Sequence, residues 1–134
     1  MIKFNSMHSK EKDVENFLLE VSTLISQKDF DISKDFFLIK TKKPKIEFST
    51  PYTMTELEFD TQDVLDQISK LSVSEYSETL LDNRDENPPF LYVFGKNING
   101  KLVYIKIKIK ESYKKILLCV SFHFAEHPMD FPYK

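Results

Sequence analysis

The segment from Lys101 to Lys110 constrains this chain more than any other, because Val103, Ile105, Ile107 and Ile109 alternate strictly with Tyr104, Lys106, Lys108 and Lys110. Successive strand side chains point to opposite faces, so this segment buries a β-branched face and turns a tyrosine and three lysines the other way. Two more strands are predicted beside it. Phe90 to Phe94 precedes Asn99-Gly100, the strongest short hairpin signal. Ile116 to His123 follows, with Ile116, Leu118, Val120 and Phe122 predicted inward and Leu117, Cys119, Ser121 and His123 outward. A four-residue loop from Glu111 to Lys114 would pair Lys110 with Lys115, Tyr104 with Ser121 and Leu102 with His123. His123 would then lie diagonal to Tyr104, at roughly 7 to 8 Å between backbones.

Upstream the period is that of a helix. Val14, Phe17, Leu18, Val21, Leu24 and Ile25 predict an amphipathic helix from about Ser9 to Gln27, capped by Ser9. Phe36 to Thr41 reads as a short strand ended by Lys42-Lys43-Pro44. Pro51, Thr53 and Thr55 read as a loop before a second helix, capped by Asp60 or Thr61 and burying Val64, Leu65, Ile68 and Leu71. A helical turn is predicted from Ser74 to about Leu81, and Asp82 to Pro89 is a polar loop. At 134 residues the chain has the size of one domain, 1–134. Helices followed by antiparallel strands predict an α+β fold, with N-terminal helices packed on a C-terminal antiparallel sheet.

The 41% hydrophobic and 30% charged fractions exclude a disordered chain, and no apolar run reaches the roughly 18 residues of a membrane span. No secretory signal is read in the first six residues, and Cys119 has no second cysteine to pair with, so a cytoplasmic location is expected. The net charge of −2 hides a division: from Phe90 onward eight basic residues face three acidic ones, against eleven and eighteen before it. A local basic surface on a mildly acidic protein suits a polyanion.

The lysine face could carry metal-independent ribonuclease chemistry. That reaction needs a base for the 2′-hydroxyl, an acid for the leaving 5′-oxygen and fixed cations for the charge developing on phosphorus. Tyr104 and His123 are the candidate catalytic pair; Lys106, Lys108, Lys96, Ser121 and Arg84, the chain's single arginine, are candidates for substrate binding. The plain alternative is that a Tyr/Lys alternation is the solvent side of a half-exposed strand. An exposed His123 at a strand end could then be replaced at a cost under about 0.5 kcal/mol. His123-Phe124-Ala125-Glu126-His127 matches an H-x-x-E-H zinc pattern, but that motif requires a helix, and here a β-branched strand runs into it and Pro128 follows. No metal and no cofactor are expected. Asp82, Asp85 and Glu86 lack the Gly and closing Glu of a calcium loop.

Phe59-Asp60-Thr61-Gln62-Asp63-Val64-Leu65, Leu71-Ser72-Val73-Ser74-Glu75-Tyr76, Phe94-Gly95-Lys96, Asn99-Gly100, Val103-Tyr104-Ile105-Lys106 and Cys119-Val120-Ser121-Phe122-His123 form a recognisable series. From about Leu57 onward the chain resembles the motility quorum-sensing regulator (MqsR) family of bacterial toxins from type II toxin-antitoxin systems, with a compatible helix and strand over 9–41. The resemblance implies a RelE-like ribonuclease fold, cleavage of single-stranded messenger RNA as an mRNA interferase, and a cognate antitoxin, typically with a helix-turn-helix DNA-binding domain. The family's tyrosine falls on Tyr104 and the lysine of its last strand on His123. A second family lysine aligns near Glu78 and a glutamine near Leu91, so neither of those is present here.

Overall fold

The computed structural model describes residues 6–40, 42–85, 88–111 and 113–134. A six-stranded sheet is formed by β1 (Ser6–Met7), β2 (Phe36–Leu38), β3 (Tyr76–Leu81), β4 (Phe90–Ile98), β5 (Lys101–Glu111) and β6 (Lys115–Phe124), in the order β1-β3-β4-β5-β6-β2. Its neighbours are antiparallel except β2, which runs parallel to β6. The fold is therefore α+β with a mixed sheet, and the predicted antiparallel sheet holds only without its β2 edge. Helices α1 (Glu11–Ile25), α2 (Ile32–Asp35), α3 (Thr50–Leu57) and α4 (Thr61–Ser69) accompany it. No described helix is long and apolar enough to cross a membrane.

The helices bury one face of the sheet. Val14, Phe17, Val21 and Leu24 of α1 and Val64, Leu65 and Ile68 of α4 join Phe94, Ile105, Ile107, Leu117 and Phe122 in one core. Phe17 stacks on Tyr92 with ring centroids 4.0 Å apart. Asp60 caps α4 as expected: its Oδ1 accepts from the Asp63 N–H at 2.9 Å, and the Asp63 carboxylate accepts from the Asp60 N–H at 2.9 Å. Ser9 does not cap α1. Its N–H instead donates to the Tyr76 hydroxyl at 2.8 Å.

Thr50–Leu57 is a helix where a loop was expected. Ser49 caps it by accepting from the Tyr52 N–H at 3.3 Å, and Pro51 falls in the first turn, where it removes no hydrogen bond. Thr53 is buried because it serves the sheet: its Oγ1 accepts from the Phe124 N–H at 2.9 Å.

Two bulges explain the other departures. Tyr76–Leu81 is a strand, not a helical turn, and its register shifts between Tyr76 and Glu78. Ser77 is the extra residue, which puts Tyr76 and Thr79 on one face, three apart as in a helix, with their hydroxyls 2.6 Å apart. In β6 the register shifts at Val120, between the pairs Ile107–Cys119 and Lys106–Ser121. Leu117 and Cys119 are therefore core residues, contrary to the predicted parity, while Phe122 and Phe124 remain inward and Ser121 and His123 face the other way. The β5–β6 connection is also one residue shorter than expected, pairing Glu111 with Lys115. The turn at Asn99-Gly100 has the two positive φ values, 53° and 84°, of the hairpin type that its sequence predicts.

The chain after β6 crosses the sheet's second face. Gly95 pairs with Tyr104, and a Cβ on Gly95 would lie 2.7 Å from Phe131 Cζ and 2.9 Å from Met129 Sδ. Tyr133 anchors the far end, stacking on Tyr76 at 5.8 Å and donating its hydroxyl to the Ser9 carbonyl. Gly95→Val is therefore expected to dislodge residues 129–131 while the sheet persists. Limited proteolysis should trim the variant's C-terminus faster than the wild type's; equal rates would show that the contact does not hold the tail.

Candidate active site

Because Gly95–Tyr104–His123 and Glu78–Val93–Lys106–Ser121 are successive cross-strand rows, their side chains share the face opposite the helices. Glu78, Tyr104, Lys106, Ser121 and His123 open into a cleft of about 330 Å³, lined also by His8, Ser77, Lys43 from the loop after β2, and residues 126–130 of the tail. The two adjustments in β6 register place His123 directly opposite Tyr104, with ring centroids 5.1 Å apart and planes 14° from parallel.

His123 is not the exposed strand-end residue expected: only 4% of it is accessible. Its Nδ1 lies 2.9 Å from the Phe124 carbonyl oxygen, so Nδ1 carries the proton and donates it, and Nε2 is left as the basic nitrogen. Nε2 is buried without a hydrogen-bond partner among the described residues. Burial, reinforced by the charges of Lys43 and Lys106 and opposed by the Phe124 carbonyl, holds the imidazole below its ordinary pKa. It is neutral near pH 7 and suited to accept a proton.

Tyr104 is pushed up to about 12, first by burial and then by Glu78, so its hydroxyl is a hydrogen-bond donor throughout the neutral range. Lys106 is held below the usual lysine range by burial and by the charges of Lys43 and Arg84, which makes it a better proton donor than a solvated lysine. A base, a neutral donor and a cation thus meet in one cleft, with the Ser121 hydroxyl beside them.

The other predicted binding residues are elsewhere. Lys108 is buried, its Nζ 2.9 Å from Asp82 Oδ2 and 2.7 Å from the Pro88 carbonyl, so it is a structural anchor of the loop after β3 and not a substrate ligand. Lys96 pairs with Glu75 at 3.3 Å outside the cleft. Arg84 is exposed on the loop, where its charge still bears on Lys106. Glu86 lies outside the described residues. Glu78 does line the cleft, accepting from the Ser6 hydroxyl, whereas Leu91 is buried and outside it. The zinc pattern is split between β6, which holds His123, and the tail, which exposes His127, so no helical face unites them. Among the described residues no three His, Cys, Asp or Glu side chains are grouped to hold a metal ion.

Sequence reasoning missed His8, Lys43, Ser77 and the tail, all of which line the cleft. The dipeptide Lys42-Lys43 was visible as a strand terminator, but nothing local indicates that its loop returns to the sheet. Searches of protein-family models, curated proteins and solved structures find no match to this chain.

Proposed function

We propose that this chain is a metal-independent endoribonuclease, the mRNA-cleaving toxin of a type II toxin-antitoxin system, with an MqsR-like site on a RelE-like fold. The observation that carries the reading is the stack of Tyr104 on a neutral His123 beside Lys106. In the reaction, Nε2 of His123 takes the 2′-hydroxyl proton and the 2′-oxygen forms a bond to phosphorus. The bond from phosphorus to the 5′-oxygen breaks, and Lys106 or Tyr104 protonates the leaving oxygen. The products are a 2′,3′-cyclic phosphate and a free 5′-hydroxyl, with no metal required. The helices on one sheet face and the candidate catalytic groups on the other support this assignment. The resemblance extends it to a cytoplasmic protein neutralised by a small helix-turn-helix antitoxin.

One observation favours a second reading, an RNA- or protein-binding module of the same fold without catalysis: His123 Nε2 has no access to solvent. Incubating the purified protein with single-stranded RNA and chelator separates the two. Cyclic-phosphate ends, together with growth arrest relieved by a co-purifying neighbouring gene product, are expected. Intact RNA with retained binding would establish the module; loss of cleavage on chelation would overturn the metal-independent mechanism.

A further inference from the structure

The lysines of the sheet divide by what neutralises them. Lys96, Lys108, Lys110 and Lys115 each hold a carboxylate, and Lys101 lies 4.8 Å above the Phe124 ring. Lys106 has no carboxylate within ion-pair distance among the described residues, and neither has Lys43, although both line the cleft. Both are half-buried. Two half-buried ammonium groups that line one cleft repel, an effect Glu78 and Asp82 offset only in part, and an anion that enters beside both relieves it.

Among the other polar groups of the cleft are the Ser121 hydroxyl and the Nε2 of His123, which is buried without a hydrogen-bond partner among the described residues. The Val120 bulge is what turns both toward this side. A volume of about 330 Å³ is at the lower end of the range of roughly 300 to 1,000 Å³ for small-ligand pockets, room for one nucleotide unit and not for a duplex.

We propose that Lys43 and Lys106 form a two-lysine seat for one phosphodiester of single-stranded RNA, with Lys43 reaching in from a loop outside the sheet as a substrate-binding residue. The seat names the substrate contact of the ribonuclease reading and rests on it. A phosphate held between the two ammonium groups stands over Ser121 and His123, which places the adjoining 2′-hydroxyl toward the imidazole. Among the described residues Lys43 and Lys106 are the lysines that line the cleft, and the carboxylates of Glu78, Glu126 and Asp130 share it with them.

The test is binding, not turnover. Affinity for a 2′-O-methyl single-stranded oligonucleotide, which cannot be cleaved, is measured over a range of salt for the full chain, Lys43→Gln, Lys106→Gln and the double variant, with Lys12→Gln on the exposed side of α1 as control. Each single variant should lower the slope of log K against log salt by about 0.7, and the double variant by about twice that, because each lysine releases the counterions of one phosphate. Lys43→Arg should keep the slope. An unchanged slope in Lys43→Gln at an unchanged melting temperature overturns the seat even where cleavage persists. A lowered slope in a protein that never cleaves RNA keeps the seat and rejects the ribonuclease instead.

Discussion

His123→Asn is expected to lower the rate of RNA cleavage roughly 100-fold to 10,000-fold, the usual cost of removing a general base. Asparagine is the informative replacement because His123 is buried, with Nδ1 bound to the Phe124 carbonyl at 2.9 Å. Alanine would leave that carbonyl without its partner and open a void under Tyr104, at a cost of about 1 to 3 kcal/mol, so the small effect expected of an exposed histidine does not apply. An amide can still donate to the carbonyl but has no basic nitrogen. The pH dependence gives an independent readout. Burial, with Lys43 and Lys106, lowers the imidazole's folded pKa, while Glu126 and the Phe124 carbonyl act in the other direction. An unfolded histidine titrates near 6.5, so below about that pH the unfolded chain binds more protons and native stability falls; above it the contribution is flat. Thermal melts at pH 5 and pH 8 should therefore differ less in His123→Asn than in wild type, and the acid limb of the wild-type rate should fall below about pH 6.5. Undiminished cleavage by a folded His123→Asn protein would remove the histidine from the mechanism.

Lys108→Met is expected to produce a large loss of stability, and no change in the salt dependence of RNA binding. The ammonium is 1% exposed and satisfies the Asp82 carboxylate at 2.9 Å, the Pro88 carbonyl at 2.7 Å and the Asp85 carbonyl at 3.3 Å. Methionine fills the space of the stem but leaves a nearly buried carboxylate without its cation, a loss of about 3 to 5 kcal/mol. For a domain of this size that lowers the melting temperature by roughly 10 °C or more. Burial alone would raise the Asp82 pKa, but Lys108 together with the Arg84 and Asp85 backbone N–H groups more than offsets it and holds the carboxyl below its usual range. That stabilisation is present at neutral pH and is lost as pH falls through the folded Asp82 value. Lys108→Met combined with Asp82→Leu should recover part of the loss, since it removes both halves of the pair. A variant that melts like wild type and binds RNA with a reduced salt slope would return Lys108 to the substrate site.

Local pattern determined a good deal of this protein by itself. The alternation of Val103, Ile105, Ile107 and Ile109 required a strand with one buried face, Asn99-Gly100 required its hairpin, and the heptad-like spacing of Val14 to Ile25 and of Val64 to Ile68 required two helices over it. Parity alone assigns Tyr104, Lys106, Ser121 and His123 to one face, and they share it. For Ser121 and His123, however, that agreement depends on a bulge at Val120 that no residue type announces. Strand parity is a local property only while the ladder is unbroken, and an inserted residue inverts every side chain beyond it. The same physics hid β3, where the bulge at Ser77 gave Tyr76 and Thr79 the spacing of a helix. Tertiary structure also decided which cations are available. Lys106 and Lys108 look equivalent on one strand, but the loop after β3 folds onto Lys108 and neutralises it, whereas Lys43 is brought by a distant loop to the cleft beside Lys106. Whether a charge is a structural anchor or a free binding group depends on which carboxylates the fold carries to within a few ångströms, and sequence spacing does not encode that distance.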